Sequence, residues 1–218
     1  MVATSEGRTS IRLRRTHAGR AISNAERRRR IVGAAENVFL AAGYGAASMD
    51  EVARRAGMSK KTLYQVFATK DALFTAVIAA RVDALVSATE ESGEPRSSRE
   101  VMENFLRQVA RFALAPRQIA LNRLVIAEAR RSPELARAFY RAGPTRGKAA
   151  FVRWLARQHA RGMFVIGDPE EAAGMLVSMV IGQPHMRLLL GDMRPPSRAA
   201  IDRRIRQAVD IFLKGASS

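Results

Sequence analysis

From Ser23 almost to the C-terminus, apolar residues recur three and four positions apart, the spacing that lines one face of an α-helix. No stretch alternates apolar and polar residues as a half-buried strand does, so the pattern predicts an all-α fold. Ser23 or Asn24 opens a first helix with Ile31, Ala35, Val38, Phe39 and Ala42 on its inner face, and Gly43 and Gly45 around Tyr44 end it. A longer helix runs from about Lys70 to Glu91 with Phe74, Val77, Ile78, Arg81 and Leu85 along one side, and Ser92–Pro95 breaks it. Ser97 or Ser98 starts the next helix, which ends before Pro116, and another covers about Arg117–Arg131. Ser132-Pro133-Glu134 and Asp168-Pro169-Glu170-Glu171 each offer a cap, a proline at the first helical position and an acid in the first turn. Gly143-Pro144 separates a short helix from one holding Phe151, Trp154 and Leu155, and Pro184 suggests an interruption beside His185. After Pro195-Pro196, Ser197 starts a last helix striped by Ile201, Ile205, Val209 and Phe212, which brings the total to about nine or ten helices.

Between the first and the long helix lies a distinct run, SMDEVARRAGMSKKTLYQVF, from Ser48 to Phe67. Ser48 caps a helix of about eight residues with Glu51 at the capping-box position. Val52, Ala53 and Ala56 form its small apolar face, Gly57 stops it, and Met58 packs in the turn. Ser59 caps a second short helix with Leu63 and Val66 or Phe67 inward. Two short helices joined by a glycine-containing turn are a helix-turn-helix, whose second helix enters the major groove by its N-terminal residues. Lys60, Lys61 and Gln65 bring donors suited to base edges. The hydroxyls of Ser48, Ser59, Thr62 and Tyr64, and the ammonium of Lys70, suit phosphate oxygens. The competing reading is an ordinary solvated basic face on a helical hairpin.

Charge sharpens this reading. Of 218 residues, 37 are Lys or Arg and 20 Asp or Glu, a formal net charge of +17 that favours polyanionic partners. Residues 1–70 hold 14 basic and 5 acidic residues, hence +9, while residues 71–218 hold 23 and 15, hence +8 over about twice the length. Arg outnumbers Lys, which suits bidentate phosphate contacts, although a GC-rich genome produces the same bias. Residues 1–22 read as a flexible basic arm with Arg8, Arg12, Arg14, Arg15, His17 and Arg20, either solvated or laid against DNA.

Other chemistries find little support. The chain has no cysteine, which removes disulfide frameworks, zinc ribbons and thiol catalysis. Its three histidines, His17, His159 and His185, lie far apart, and no glycine-rich phosphate loop occurs, so an enzyme, a metal site or a cofactor is not expected. No apolar run reaches the roughly 18–20 residues that span a bilayer, and a cytoplasmic protein is expected.

The run from Gly43 to Leu73 resembles the N-terminal domain of the TetR family of bacterial regulators. Gly43, Tyr44, Ser48, Val52, Ala53, Ala56, Gly57, Ser59, Leu63, Tyr64, Phe67, Lys70 and Leu73 follow the family's pattern in register. Met58 stands where valine is usual, and Lys61 where a small residue is common. Arg123–Tyr140 is similar to the regulatory domain of the AefR-like branch. The resemblance leaves the flexible basic arm (1–22) outside it and implies a helix-turn-helix domain (23–70) and a helical effector-binding and dimerisation domain (71–218). It implies that Tyr64 and Lys70 touch phosphates while Lys60, Lys61 and Thr62 face the groove. It further implies a homodimer on near-palindromic double-stranded DNA and a small apolar or amphipathic effector.

On that basis Met102, Phe105, Phe112, Trp154, Met163 and Phe164 are expected around a mostly apolar pocket, with Arg123, Glu128, Tyr140 and His185 as its polar groups. The expected dimer face is the helix from Asp168, through Met175 and Met179, with the final helix through Ile201, Ile205, Val209 and Phe212. Simple core packing is the alternative for both sets. A repressor is the leading functional reading; an activator, a ligand-independent regulator and a non-specific basic DNA-binding protein are the others.

Overall fold

A computed structural model describes residues 23–90, 97–163 and 165–216. The expected basic arm at 1–22, the break at Ser92–Pro95, the Leu85 side chain and Phe164 lie outside the described residues. Ten α-helices occur among the described residues, with no strand. They are α1 (Asn24–Ala46), α2 (Met49–Ala56), α3 (Lys60–Val66), α4 (Lys70–Glu90), α5 (Ser98–Ala113), α6 (Pro116–Glu128), α7 (Pro133–Tyr140), α8 (Arg146–Ala160), α9 (Pro169–Leu190) and α10 (Arg198–Gly215). None of the helices, as described, is long and apolar enough to cross a membrane.

Most helix starts follow the sequence. Ser23, Ser48, Ser59, Ser97 and Ser197 each accept a hydrogen bond from the backbone N–H three residues on, and Asp168 accepts one from Glu170. The Glu51 carboxylate does not complete a capping box; Arg54 and Arg55 claim it at 2.7 and 2.6 Å and hold its pKa down at about 2. Ser132 makes no side-chain cap either, so Pro133 alone marks the start of α7. Gly43 breaks the helical backbone of α1 at φ 79°, ψ 165°, and Gly57 closes α2 in the left-handed region at φ 65°.

Two expected breaks are absent. Gly143 and Pro144 sit in a π-helical turn, Arg141–Thr145, that joins α7 to α8 without interruption. Proline has no N–H to place in the ladder, and the wider turn accommodates its ring. Likewise α9 runs straight through a buried Pro184. There Arg204 of α10 donates to the carbonyl of Met179 at 3.0 Å and supports the helix just before the proline.

The helices enclose two cores. The first gathers Ile31, Ala35, Val38 and Phe39 of α1, Val52 and Ala53 of α2, Leu63 and Phe67, and Leu73, Phe74 and Val77 of α4. It continues into Leu121, Leu124 and Val125 of α6 and Leu135 of α7, so it extends past residue 70. Phe39, Tyr44 and Phe74 form its aromatic centre, with Phe74 edge-on to both others at centroid distances of 5.5 and 5.4 Å. The second core lies among α5, α8, α9 and α10 around Met102, Leu106, Leu155, Leu176 and Ile205. Phe74→Ala removes the side chain through which α4 meets α1, and the loss expected is about 3–5 kcal/mol of unfolding free energy in urea.

Candidate nucleic-acid interface

The first core fixes α3 by one side and leaves the other free. Leu63 and Phe67 are buried, while Ser59, Lys60, Lys61, Tyr64 and Gln65 are exposed and Thr62 is half-buried. Ala53 in α2 is buried, and the Met58 N–H returns to its carbonyl at 3.0 Å, which closes the turn between α2 and α3. Arg28 of α1 lies over the Phe67 ring at 4.5 Å and backs the far end of α3.

The exposed side chains differ in how available they are. Lys61 makes no side-chain hydrogen bond or ion pair with the described residues, so its ammonium is ready for a partner. Lys60 pairs with Asp50 at 2.9 Å, and this contact raises its pKa. Both partners are exposed, and solvent screening leaves such a pair weak enough to be exchanged for a phosphate. Ser48 and Ser59 serve first as caps, and the Thr62 hydroxyl lies 2.8 Å from that of Ser59. A groove of about 520 Å³, not foreseeable from residue spacing, runs between α1 and α3, lined by Asn24, Arg27, Arg28, Thr62, Gln65 and Val66. Arg27 and Arg28 thereby extend the basic surface beyond α3, through tertiary packing that spacing alone does not reveal.

The Lys70 ammonium donates to the carbonyls of Tyr44, Gly45 and Ala47 at 2.8, 3.2 and 3.2 Å and stands 4.6 Å from the Tyr44 ring centroid. Its N–H donors reach the carbonyls at the end of α1, so Lys70 ties that helix end to the start of α4. The Tyr44 hydroxyl donates to Asp71, and burial, followed by this bond, pushes the Tyr44 pKa up.

The expected pocket residues that the structure describes lie in different surroundings. Met102 and Phe105 are buried in the second core, where Phe105 stacks on Phe151 at 4.1 Å and Phe151 on Trp154 at 5.6 Å. Tyr140 and Met163 are each 60% exposed on the surface. Phe112 carries the Arg81 guanidinium at 5.5 Å. Arg123 donates to the carbonyls of Leu188 and Leu189 at the end of α9, and Glu128 accepts from the Gly45 N–H at 3.3 Å. His185 is half-buried against Asn122, and burial lowers its pKa.

The dimer assignment also changes in part. Ile205 and Val209 are fully buried inside the protomer, so they cannot meet a second copy, and Ile201 and Phe212 are half-buried beside them. Met175 is exposed and Met179 half-buried. Around them the surface presents Ser178, Gly182, Met186 and Leu190 along α9 and Ile211 on α10, with Leu190 75% exposed. Met175, Ser178, Gly182 and Met186 recur at helical spacing, a signal the sequence carried but which the stripe on α10 obscured.

Lys70→Met keeps the stem and removes the three donors, and a loss of about 1.5–3 kcal/mol of stability is expected in a urea titration.

Comparison with known proteins agrees with this architecture. The family model described as bacterial regulatory proteins, tetR family, matches residues 31–77. The model for the C-terminal domain of AefR-like transcriptional repressors matches residues 100–215. The chain is 46% identical over 74 residues to the HTH-type transcriptional activator FasR of Mycolicibacterium smegmatis, a match covering 34% of each protein. This match therefore spans about a third of that relative's length. A regulator from Mesorhizobium loti, assigned to the TetR family, superposes with a TM-score of 0.76 at 30% identity, over 89% of this chain and 98% of that one. The flavonoid-responsive regulator FrrA does so at 0.72 and 30% identity, over 88% and 98%.

Proposed function

Since the chain belongs to the TetR family of DNA-binding transcriptional regulators, we propose that it is a homodimeric, effector-responsive repressor of a near-palindromic operator. The observation that carries this reading is the exposed face of α3, where Lys61, Tyr64 and Gln65 stand free on a helix whose opposite side is locked into the core. Lys60, exchanging Asp50 for DNA, and Lys61 reach the groove; Tyr64, Ser48, Ser59 and Thr62 lie toward phosphates. Lys70 contributes by holding the corner on which α3 rests.

One such helix makes few base contacts. Pairing two copies through Met175, Ser178, Gly182, Met186 and Leu190 of α9, with Ile211 of α10, supplies the second. The small residues at the centre let the helices approach closely, and the methionines adapt to the facing surface. Half-sites about one DNA turn apart follow from the two-fold symmetry. Repression agrees with the description of the matched C-terminal domain, and activation, the second reading, with that of FasR. Responsiveness to a flavonoid in FrrA is in keeping with an apolar effector, and the buried Met102 and Phe105–Phe151–Trp154 stack must part to admit one among α5, α8 and α9. To release DNA, that ligand must bind the DNA-incompetent arrangement more tightly.

Lys61→Ala lowers the slope of log affinity against log salt by about 0.9 if the ammonium displaces one counterion. Tyr64→Phe weakens binding on every duplex tested. Unchanged affinity and slope in both variants, read by fluorescence anisotropy, contradict the interface. Met186→Glu converts the dimer to monomer in sedimentation velocity, and a wild-type monomer at all concentrations contradicts the pairing.

A further inference from the structure

A single file of polar side chains runs from the headpiece into the second core. Glu36 of α1 accepts from Arg81 of α4 at 2.8 Å and from Arg117 of α6 at 3.1 Å. Arg81 Nε donates to Gln118 Oε1 at 3.0 Å, Gln118 Nε2 donates to Asn122 Oδ1 at 2.9 Å, and Asn122 Nδ2 stands 2.6 Å from His185 Nε2. Gln118 is the buried polar residue of the core, and no buried side-chain polar atom among the described residues lacks a partner.

The direction of this file is chemically determined. A guanidinium can only donate, so the oxygen of Gln118 must face Arg81 and its NH₂ must face Asn122. Asn122 then accepts with its oxygen and turns its own NH₂ to His185. The Nε2 of His185 must therefore accept, which requires a neutral ring with its proton on Nδ1. A proton arriving at Nε2 sets donor against donor. Asn122 can answer only by flipping, which in turn faces its NH₂ toward that of Gln118, and the conflict passes to Arg81.

We propose that this chain makes His185 a proton-sensing element, whose protonation on Nε2 disrupts the Gln118–Asn122 file and loosens the Arg81–Glu36 clamp that seats α1 of the headpiece on α4 and α6. The charged groups on the surrounding helices do not substitute for that proton. Arg123 of α6 sits on the Leu188 and Leu189 carbonyls, Arg187 of α9 on Asp192, and Arg204 of α10 on Met179 and Gln183. Arg107 of α5 is held by Asp202 and Glu103, and Lys148 of α8 by Glu170. No acid offsets the loss of solvent, and burial alone lowers the proton affinity of His185. Its neutral form therefore stabilises the fold fully above the ordinary histidine value of 6.5, and the contribution is lost as pH falls through the lower folded value. The inference rests on the fold alone and needs neither operator nor effector.

The test uses the full ¹⁵N-labelled chain, with long-range ¹H–¹⁵N correlations reading the imidazole nitrogens between about pH 8 and pH 5, and His185→Gln assigning the resonances. The expected wild-type result is the Nδ1–H tautomer, a midpoint below that of an ordinary histidine, and backbone amides around Glu36 that shift with the same midpoint. In Gln118→Leu, His185 still titrates but the amides of α1 no longer follow. Asn122→Asp presents an acceptor to Nε2 while still accepting from Gln118, and is expected to raise the His185 midpoint by about one unit, or tenfold. An Nε2–H tautomer in the wild type, α1 amides indifferent to His185, or an Asn122→Asp midpoint that stays or falls overturns the proposal. Should Gln118→Leu fail to fold, as its melting curve would show, the wild-type tautomer still decides the polarity of the chain, because an Nε2–H ring cannot accept from Asn122.

Discussion

A helix of seven residues followed by a bend cannot hold itself in water, and α2, with eight, is no better placed. The recognition surface therefore depends on the corner where α1 meets α4. There Phe39, Tyr44 and Phe74 interlock, Leu63 and Phe67 insert from α3, and Lys70 ties the carbonyls at the end of α1. The Ser59 cap and the left-handed Gly57 then decide which side of α3 is left outward. Lys61, Tyr64 and Gln65 are displayed because everything behind them is packed.

The corner is also joined to the rest of the molecule. α6 lies along the second half of α1 and grips it at its middle, through Arg117 on Glu36 and Asn37, and near its end, through Glu128 on the Gly45 N–H. Its other side is fastened to α9 by Asn122 and Arg123. A displacement of α9 or α6 thus has polar handles on the headpiece as well as the shared apolar core. Discrete hydrogen bonds of this kind have two states, made or broken, and that is what a switch requires.

Much of this was legible in the sequence. Serine caps, the turn glycine and the small face of α2 are local signals, and they placed α1 to α4 almost to the residue. What the sequence left unread depended on tertiary partners. Lys70 carries the charge of a phosphate contact, and its ammonium also satisfies the carbonyls beyond Gly43. Ile205 and Val209 form a clean stripe, yet a stripe shows only that one face is buried, not against which surface. Aromatic and methionine residues such as Phe105, Trp154 and Met102 read equally as pocket or core; Phe105 and Trp154 stack on Phe151, and Met102 is buried in the same core. Pro144 and Pro184 looked like breaks because proline removes a hydrogen bond, whereas a π-turn and continuous packing absorbed the loss. The polar file from Glu36 to His185 joins four helices and has no sequence signature at all.

The free face of α3, presented twice, is proposed to read a specific site. Selection of duplexes from a random pool by the purified full-length protein tests it directly. The expected result is enrichment of a near-palindrome whose half-sites lie about one helical turn apart. Recovery of sequences with no shared motif, bound in proportion to length and abolished uniformly by salt, would contradict it and leave only a basic protein that coats DNA.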